Sequence, residues 1–138
     1  MALFATFPVT TGPSQITCRI ENSDGTTVLD VFDNTSGATA IKIESLNVTS
    51  TDTSDKVISF YIYNGSISLL IGSINIPAGS GTDGVVTRVN ALTTLGTKGA
   101  DDVTCVWLAV GSKLQVKAVA TLTADKLVDI VGRGYYYN

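Results

Sequence analysis

The residues that could do chemistry are mostly aspartates, and they sit in three polar stretches. Asp52 and Asp55 share one, Asp101 and Asp102 another, and Asp83 lies in a third. Loops of this kind, gathered at one end of a β-fold, can bind calcium through oxygen ligands. Asp and Asn are also simply good turn formers, and no spacing here matches a calcium loop, so the turn reading is the one expected. Two acids flanking a groove would be the signature of glycoside hydrolysis. The only two Glu, Glu21 and Glu44, fall instead in strand-like runs. There is no His, which removes the commonest general base, the Ser-His triads and most zinc and copper sites. Gly79-Ser80-Gly81 leads into a strand-like run rather than a helix, so it lacks the helix N-terminus that a phosphate loop needs. Cys18 and Cys105 form no Cys-x-x-Cys. No catalytic residue, cofactor or metal site is expected.

The elements that would carry these residues are strands. Thr, Val, Ile and Gly dominate a chain of 138 residues with 44% hydrophobic and 15% charged composition, a bias that favours an all-β domain. Between Val103 and Val131 three apolar runs are separated by Gly111-Ser112-Lys113 and Ala124-Asp125-Lys126. In the middle run Leu114, Val116, Ala118 and Ala120 alternate with Gln115, Lys117, Val119 and Thr121, the period of a half-buried strand. The breaks read as tight reversals, so the expectation is an antiparallel meander holding the only Trp, Trp107. Its apolar face requires a second sheet.

The rest of the chain supplies it. Residues 1 to 15 contain Pro8 and Pro13 and read as an extended arm with Leu3, Phe4 and Phe7 exposed. Ile16 to Glu21 is a strand, Asn22 to Gly25 a hairpin-type turn, and Thr26 to Phe32 the return strand. In Ala40 to Ser50 the apolar parity slips between Ile41/Ile43 and Leu46/Val48, which predicts a β-bulge near Glu44-Ser45. Val57 to Tyr63 carries large groups on both faces and reads as a central strand or one under an interface. Asn64-Gly65 is the strongest hairpin signal, with Ile67 to Ile76 returning. Val85 to Leu92 is a further strand, Thr93 to Asp102 a loop, and Gly132 to Asn138 an aromatic tail. The expected organisation is an arm over 1–15, an antiparallel β-sandwich of about eight strands over 16–132, and a tail over 133–138. No helix and no fixed repeat is expected.

Composition also limits partners. Net charge is −3 and the nine Lys and Arg are scattered, unlike a nucleic-acid footprint. No run is long enough for a membrane helix. No basic, apolar secretion leader opens the chain, so the thiols are expected reduced and buried, in strands where they could face one another across the core. The sequons at Asn34, Asn47 and Asn64 then carry no meaning. What remains is surface. Leu3, Phe4 and Phe7 in the arm, Tyr61 and Tyr63 on one strand face, and Tyr135, Tyr136 and Tyr137 in the tail are more than a small monomer should expose. They either fold back on their own domain or bind a partner; both readings stand at this point.

The stretch Ile43-Glu-Ser-Leu-Asn-Val-Thr-Ser-Thr-Asp-Thr-Ser-Asp-Lys-Val-Ile-Ser-Phe-Tyr-Ile-Tyr-Asn-Gly65 is followed by Ile74-Asn-Ile-Pro-Ala-Gly-Ser-Gly81 and by Leu108-Ala-Val-Gly-Ser-Lys-Leu-Gln-Val116. This order resembles the small jelly-roll head decoration, or cement, proteins of tailed bacteriophages, over roughly residues 41 to 131. The resemblance implies a jelly-roll fold, a homotrimer, the major capsid protein as partner, and a place on the outside of a virion capsid assembled in the host cytoplasm. It implies no catalytic residues. A non-enzymatic capsid-stabilising protein is therefore the expected function. The alternative is a receptor- or carbohydrate-binding module of a phage tail or fibre. A calcium-loop hydrolase is a third.

Overall fold

The computed structural model describes the backbone of residues 10–37, 39–99 and 101–137, and the side chains from residue 14 to residue 136 of that set. Strands β1 (Thr10–Glu21), β2 (Leu29–Asp33), β3 (Ile41–Ser50), β4 (Lys56–Tyr63), β5 (Ser68–Ile76), β6 (Val89–Asn90), β7 (Thr97–Lys98), β8 (Thr104–Leu108), β9 (Lys113–Ala118) and β10 (Leu127–Tyr137) form two antiparallel sheets. The larger runs β1-β10-β3-β8-β7, with β6 also paired to β3, and the smaller runs β2-β9-β4-β5. The pairing is nested. β1 pairs with β10, β2 with β9, β3 with β8, and β4 with β5. A long two-stranded ribbon is thus folded over on itself, which is the construction of a jelly roll. Eight of the strands are five residues or longer, in line with the expected number of about eight; β6 and β7 are two-residue additions.

Parity fills the space between the sheets. Ile58 and Phe60 of β4, Leu114, Val116 and Ala118 of β9, and Val128 and Ile130 of β10 all point inward and are buried. The predicted bulge in β3 is present: Arg133 pairs with Ser45 but Gly134 pairs with Ile43, so Glu44 is the extra residue. It lets Ile41 and Ile43 below the slip, and Leu46 and Val48 above it, reach the same core. The Asn64-Gly65 turn also forms. Asn64 Oδ1 accepts from the backbone N–H groups of Ser66 and Ile67 at 3.0 Å each, and Gly65 adopts φ +97°.

Four expectations are corrected. The stretch from Val103 to Val131 is not a meander: β8 and β10 lie in the larger sheet and β9 in the smaller. The turn at Asn22 to Gly25 likewise does not close a hairpin, because β1 and β2 belong to different sheets. A short polar break bridges the roughly 10 Å between stacked sheets as readily as it reverses a strand within one. Periodicity reports which face is buried, not which neighbour is hydrogen-bonded. Residues 10–15 and 133–137 are strand rather than free arm and tail; they pair with each other at the ends of β1 and β10. Pro13 is tolerated because β1 is an edge strand with a register shift between Thr10 and Pro13. Val85 to Leu92 yields only the short β6, followed by a one-turn helix, α1 (Leu92–Leu95), whose two leucines plug the core beside β5. Just ahead of it the Asn90 side-chain carbonyl accepts from the Leu92 N–H at 3.1 Å, an Asx-type turn into the helix. Among the described residues no helix is long and apolar enough to cross a membrane.

The cysteines do not face one another. Cys18 lies on the inner side of β1, against the core, whereas Cys105 is on the side of β8 opposite Val106 and Leu108, with β10 and β3 between the two strands. Both are free thiols. Burial, then the charges of Asp24, Asp30 and Asp129, pushes the Cys18 thiol up to about 11 from 9.0. Burial also raises Cys105. Because the thiolate is the reactive form, native Cys18 should label about 100-fold more slowly than a free cysteine near neutral pH, and Cys105 only on opening of the fold. Rapid labelling of either by an uncharged disulfide reagent in the native state would contradict this burial.

Asp52 holds one end of the sandwich together. Its carboxylate is buried and accepts from the Thr123 N–H and hydroxyl at 2.9 Å each and from the Ser54 N–H and hydroxyl at 3.1 Å each, with the Lys56 ammonium 3.9 Å away. Burial alone would raise its carboxyl, but these donors outweigh burial and hold it at about 2, against an ordinary 3.8. The folded value is the lower one, so the contribution is present above pH 4 and is lost as pH falls from about 4 toward 2. It amounts to about 2 kcal/mol. Asp52→Asn should lower stability at pH 7 by about that much and flatten the melting temperature between pH 4 and pH 2. A variant whose curve runs parallel to the wild type's would show that Asp52 is not the staple.

Candidate interaction surfaces

The outer face of the smaller sheet is polar and cross-linked. Alternation along β4 sends Tyr61 and Tyr63 outward, where they pair across the strands with Gln115 and Lys113 of β9. The Lys113 ammonium lies 5.6 Å from the Tyr63 ring centre and Lys117 lies 5.9 Å from that of Tyr61, cation–π distances. Lys113 also meets Asp30 at 3.2 Å and Asp33 at 3.8 Å, and Gln115 links Asp30 to Ser68 through bonds of 3.1 and 2.7 Å. The two tyrosines therefore do share one face, as their spacing predicts. Both are half-buried among these neighbours rather than presented bare.

Beside that face lies an open edge. Among the described residues β5 has a strand partner on one side only, β4. Ile67 just before β5 and Leu69 and Leu70 at its start are 56%, 47% and 60% exposed, and Val57 on β4 is 40% exposed. No charged residue occurs between Lys56 and Asp83. Natural edge strands are commonly protected by charge, proline, bulges or a covering element. β5 has a bulge at Ile71, where Phe60 pairs with Gly72 but Tyr61 pairs with Leu70, and nothing charged.

The outer face of the larger sheet carries a different set. Tyr135, Lys42 and Trp107 sit side by side on β10, β3 and β8. Lys42 is buried to 3% although it faces outward, because Asp101 and Glu44 pair with its ammonium and Trp107 lies over it, 5.8 Å to the ring centre. Trp107 remains 45% exposed. Tyr136 points the other way and packs against Phe32 with ring centres 6.1 Å apart, so it serves the domain itself. Tyr137 pairs with Thr10 through the backbone. Leu3, Phe4 and Phe7 lie outside the described residues.

The aspartates of these loops spend their oxygens on donors of their own turns and of neighbouring segments. Asp83 accepts from the N–H groups of Val85 and Val86 at 2.8 Å each, Asp55 from Ala78 at 3.0 Å, and Asp101 from Val103 at 3.2 Å and from Lys42. Among the described residues no three His, Cys, Asp or Glu are grouped to hold a metal. The sequon residue Asn34 is buried, its amide donating to the carbonyls of Thr39, Leu108 and Ala109. Two surface features lie outside the residues singled out from sequence. The uncharged β4–β5 hairpin was visible as a charge gap. A hollow of about 520 Å³ on the larger sheet, lined by Ser45, Asn47, Thr49, Arg88, Val131, Gly132 and Arg133, left no signal, since its parts are distant in sequence.

No family model and no curated protein matches the chain. Among solved structures, the chain is similar to the NLP core of Drosophila, described for its pentamer formation and histone binding. The two are 15% identical, the match covers 92% of this chain and 100% of that one, and the TM-score is 0.50. It also matches, with a TM-score of 0.36, 12% identity and coverage of 95% and 84%, the virus-like particle of the extra small virus of the giant freshwater prawn Macrobrachium rosenbergii. The first likeness concerns the fold.

Proposed function

We propose that the chain is a non-enzymatic structural protein that self-associates and decorates the outside of a phage capsid. The observation that carries this reading is the edge of β5: a nine-residue strand with exposed Leu69 and Leu70 and no charged side chain. An edge so built is protected in the working state by another surface. The resemblance of residues 41 to 131 to head decoration proteins supports the capsid as the site and a homotrimer as the assembly. That a protein with the same fold, the Drosophila NLP core, is described as a pentamer agrees with self-association of such a sandwich. In a symmetric array each weak contact is repeated, so modest patches suffice to cement a shell.

The test places one charge on the edge. Leu70→Lys leaves the core intact because Leu70 is 60% exposed. The wild type should sediment as an oligomer at micromolar concentration or bind purified capsids in stoichiometric, multiple copies. The variant should melt within a few degrees of the wild type as a monomer and lose at least tenfold in assembly or occupancy, the effect of about 1.4 kcal/mol. A wild type that neither self-associates nor binds particles would sink the proposal. A copy number of a few per virion would instead favour the tail or fibre alternative.

A further inference from the structure

The hollow on the outer face of the larger sheet is built along β3. Ser45, Asn47 and Thr49 share the outward parity above the Glu44 bulge and form its floor, with Val131 beside Asn47 on β10. Arg133 of β10 stands opposite Ser45. At the other end Arg88 precedes β6, which pairs Val89 with Val48 and Asn90 with Asn47, so Arg88 comes level with Thr49. A side chain added at Gly81 would meet both, Thr49 Cγ2 at 2.8 Å and Arg88 Cβ at 3.1 Å, which places the two together. Ser45 and Thr49, level with the two arginines, are four residue steps apart along β3, about 13 Å. The two arginines therefore stand at opposite ends of a polar groove.

Charge sets this hollow apart. Both arginines are exposed, and neither makes an ion pair or hydrogen bond with another described residue. The third arginine, Arg19, is held by Asp129 in a two-pronged pair at 2.7 and 2.9 Å. That pair neutralises the carboxylate beside the hollow, and Glu44 is engaged by Lys42 at 3.1 Å. Among the described residues no carboxylate lines the hollow, although the protein carries net charge −3. Unpaired arginines over hydroxyls and a carboxamide match an anion that also carries hydroxyl groups. An acidic peptide fits less well. An extended peptide is read through the free edge of a sheet, and β3 is an interior strand whose backbone is taken by β10, β8 and β6.

We propose that this hollow binds an acidic oligosaccharide, with carboxylates on Arg88 and Arg133, ring hydroxyls on Ser45, Asn47 and Thr49, and an apolar ring face on the exposed Val131. The site lies in the sheet opposite the β5 edge, so it goes beyond the capsid reading and stands or falls separately from it. The experiment is binding of the full chain to tetragalacturonate and to trisialic acid, beside neutral tetragalactose and hexaglutamate, by calorimetry at low and moderate salt. At least one acidic oligosaccharide should bind, weakening with salt and exceeding both controls. Arg88→Ala and Arg133→Ala should each weaken it about tenfold, as loss of a charge-assisted bond predicts, without moving the melting temperature. Lys98→Ala, on the β7 strand, should change nothing. Equal binding of tetragalactose, binding of hexaglutamate as tight as that of the sugars, indifference to both arginine substitutions, or no binding of either acidic sugar would each overturn the proposal.

Discussion

One extra residue in β3 governs the arrangement of the larger sheet. Without Glu44 as a bulge, Ile41 and Ile43 could face the core only by turning Leu46 and Val48 to solvent. The bulge carries its own steric demand. A Cβ on Gly132 would lie 2.0 Å from the Ser45 carbonyl oxygen, so β10 must offer a glycine where it passes the bulge. The same slip decides the surface: below it Lys42 and Trp107 face outward, and above it Ser45, Asn47 and Thr49 do. Core packing and the outer hollow are thus two results of one register choice.

The fold was largely legible because jelly-roll strands are half-buried and therefore alternate. Period-two patterning located β4, β9 and the inner parity of β3, and the parity slip located the bulge to within a residue. Connectivity was not legible, because alternation is blind to which sheet a strand joins. Asn22 to Gly25 shows why. Its Asp-Gly step reads as a hairpin, yet the backbone N–H of Glu21 donates to Asp24 at 2.7 Å in a short 3-10 turn that leaves β1 for the other sheet. Prolines misled in the opposite sense, since Pro13 opposes an interior strand but not an edge.

The surfaces divide in the same way. Tyr61 and Tyr63 share a face because their spacing is even, and sequence is enough to see that. Tyr135 and Tyr136 go to opposite faces for the same reason, so a triplet that looked like one aromatic patch is split between the outer face and Phe32. The Arg88–Arg133 hollow depends on three strands brought together from separate parts of the chain, and nothing local announces it.

The nested pairing has a consequence for synthesis. Among the described residues β1 pairs only with β10, more than a hundred residues later. β2 must likewise wait for β9. At ordinary translation speeds that wait is on the order of ten seconds. The earliest ladder that can close on the ribosome is β4 with β5, the hairpin that carries no charge beyond Lys56. For those seconds the emerging chain displays its stickiest element before the sandwich exists to hold it. Where nascent chains crowd together, on one message or in one cell, the order of the strands makes edge-to-edge encounter between copies the first association open to them.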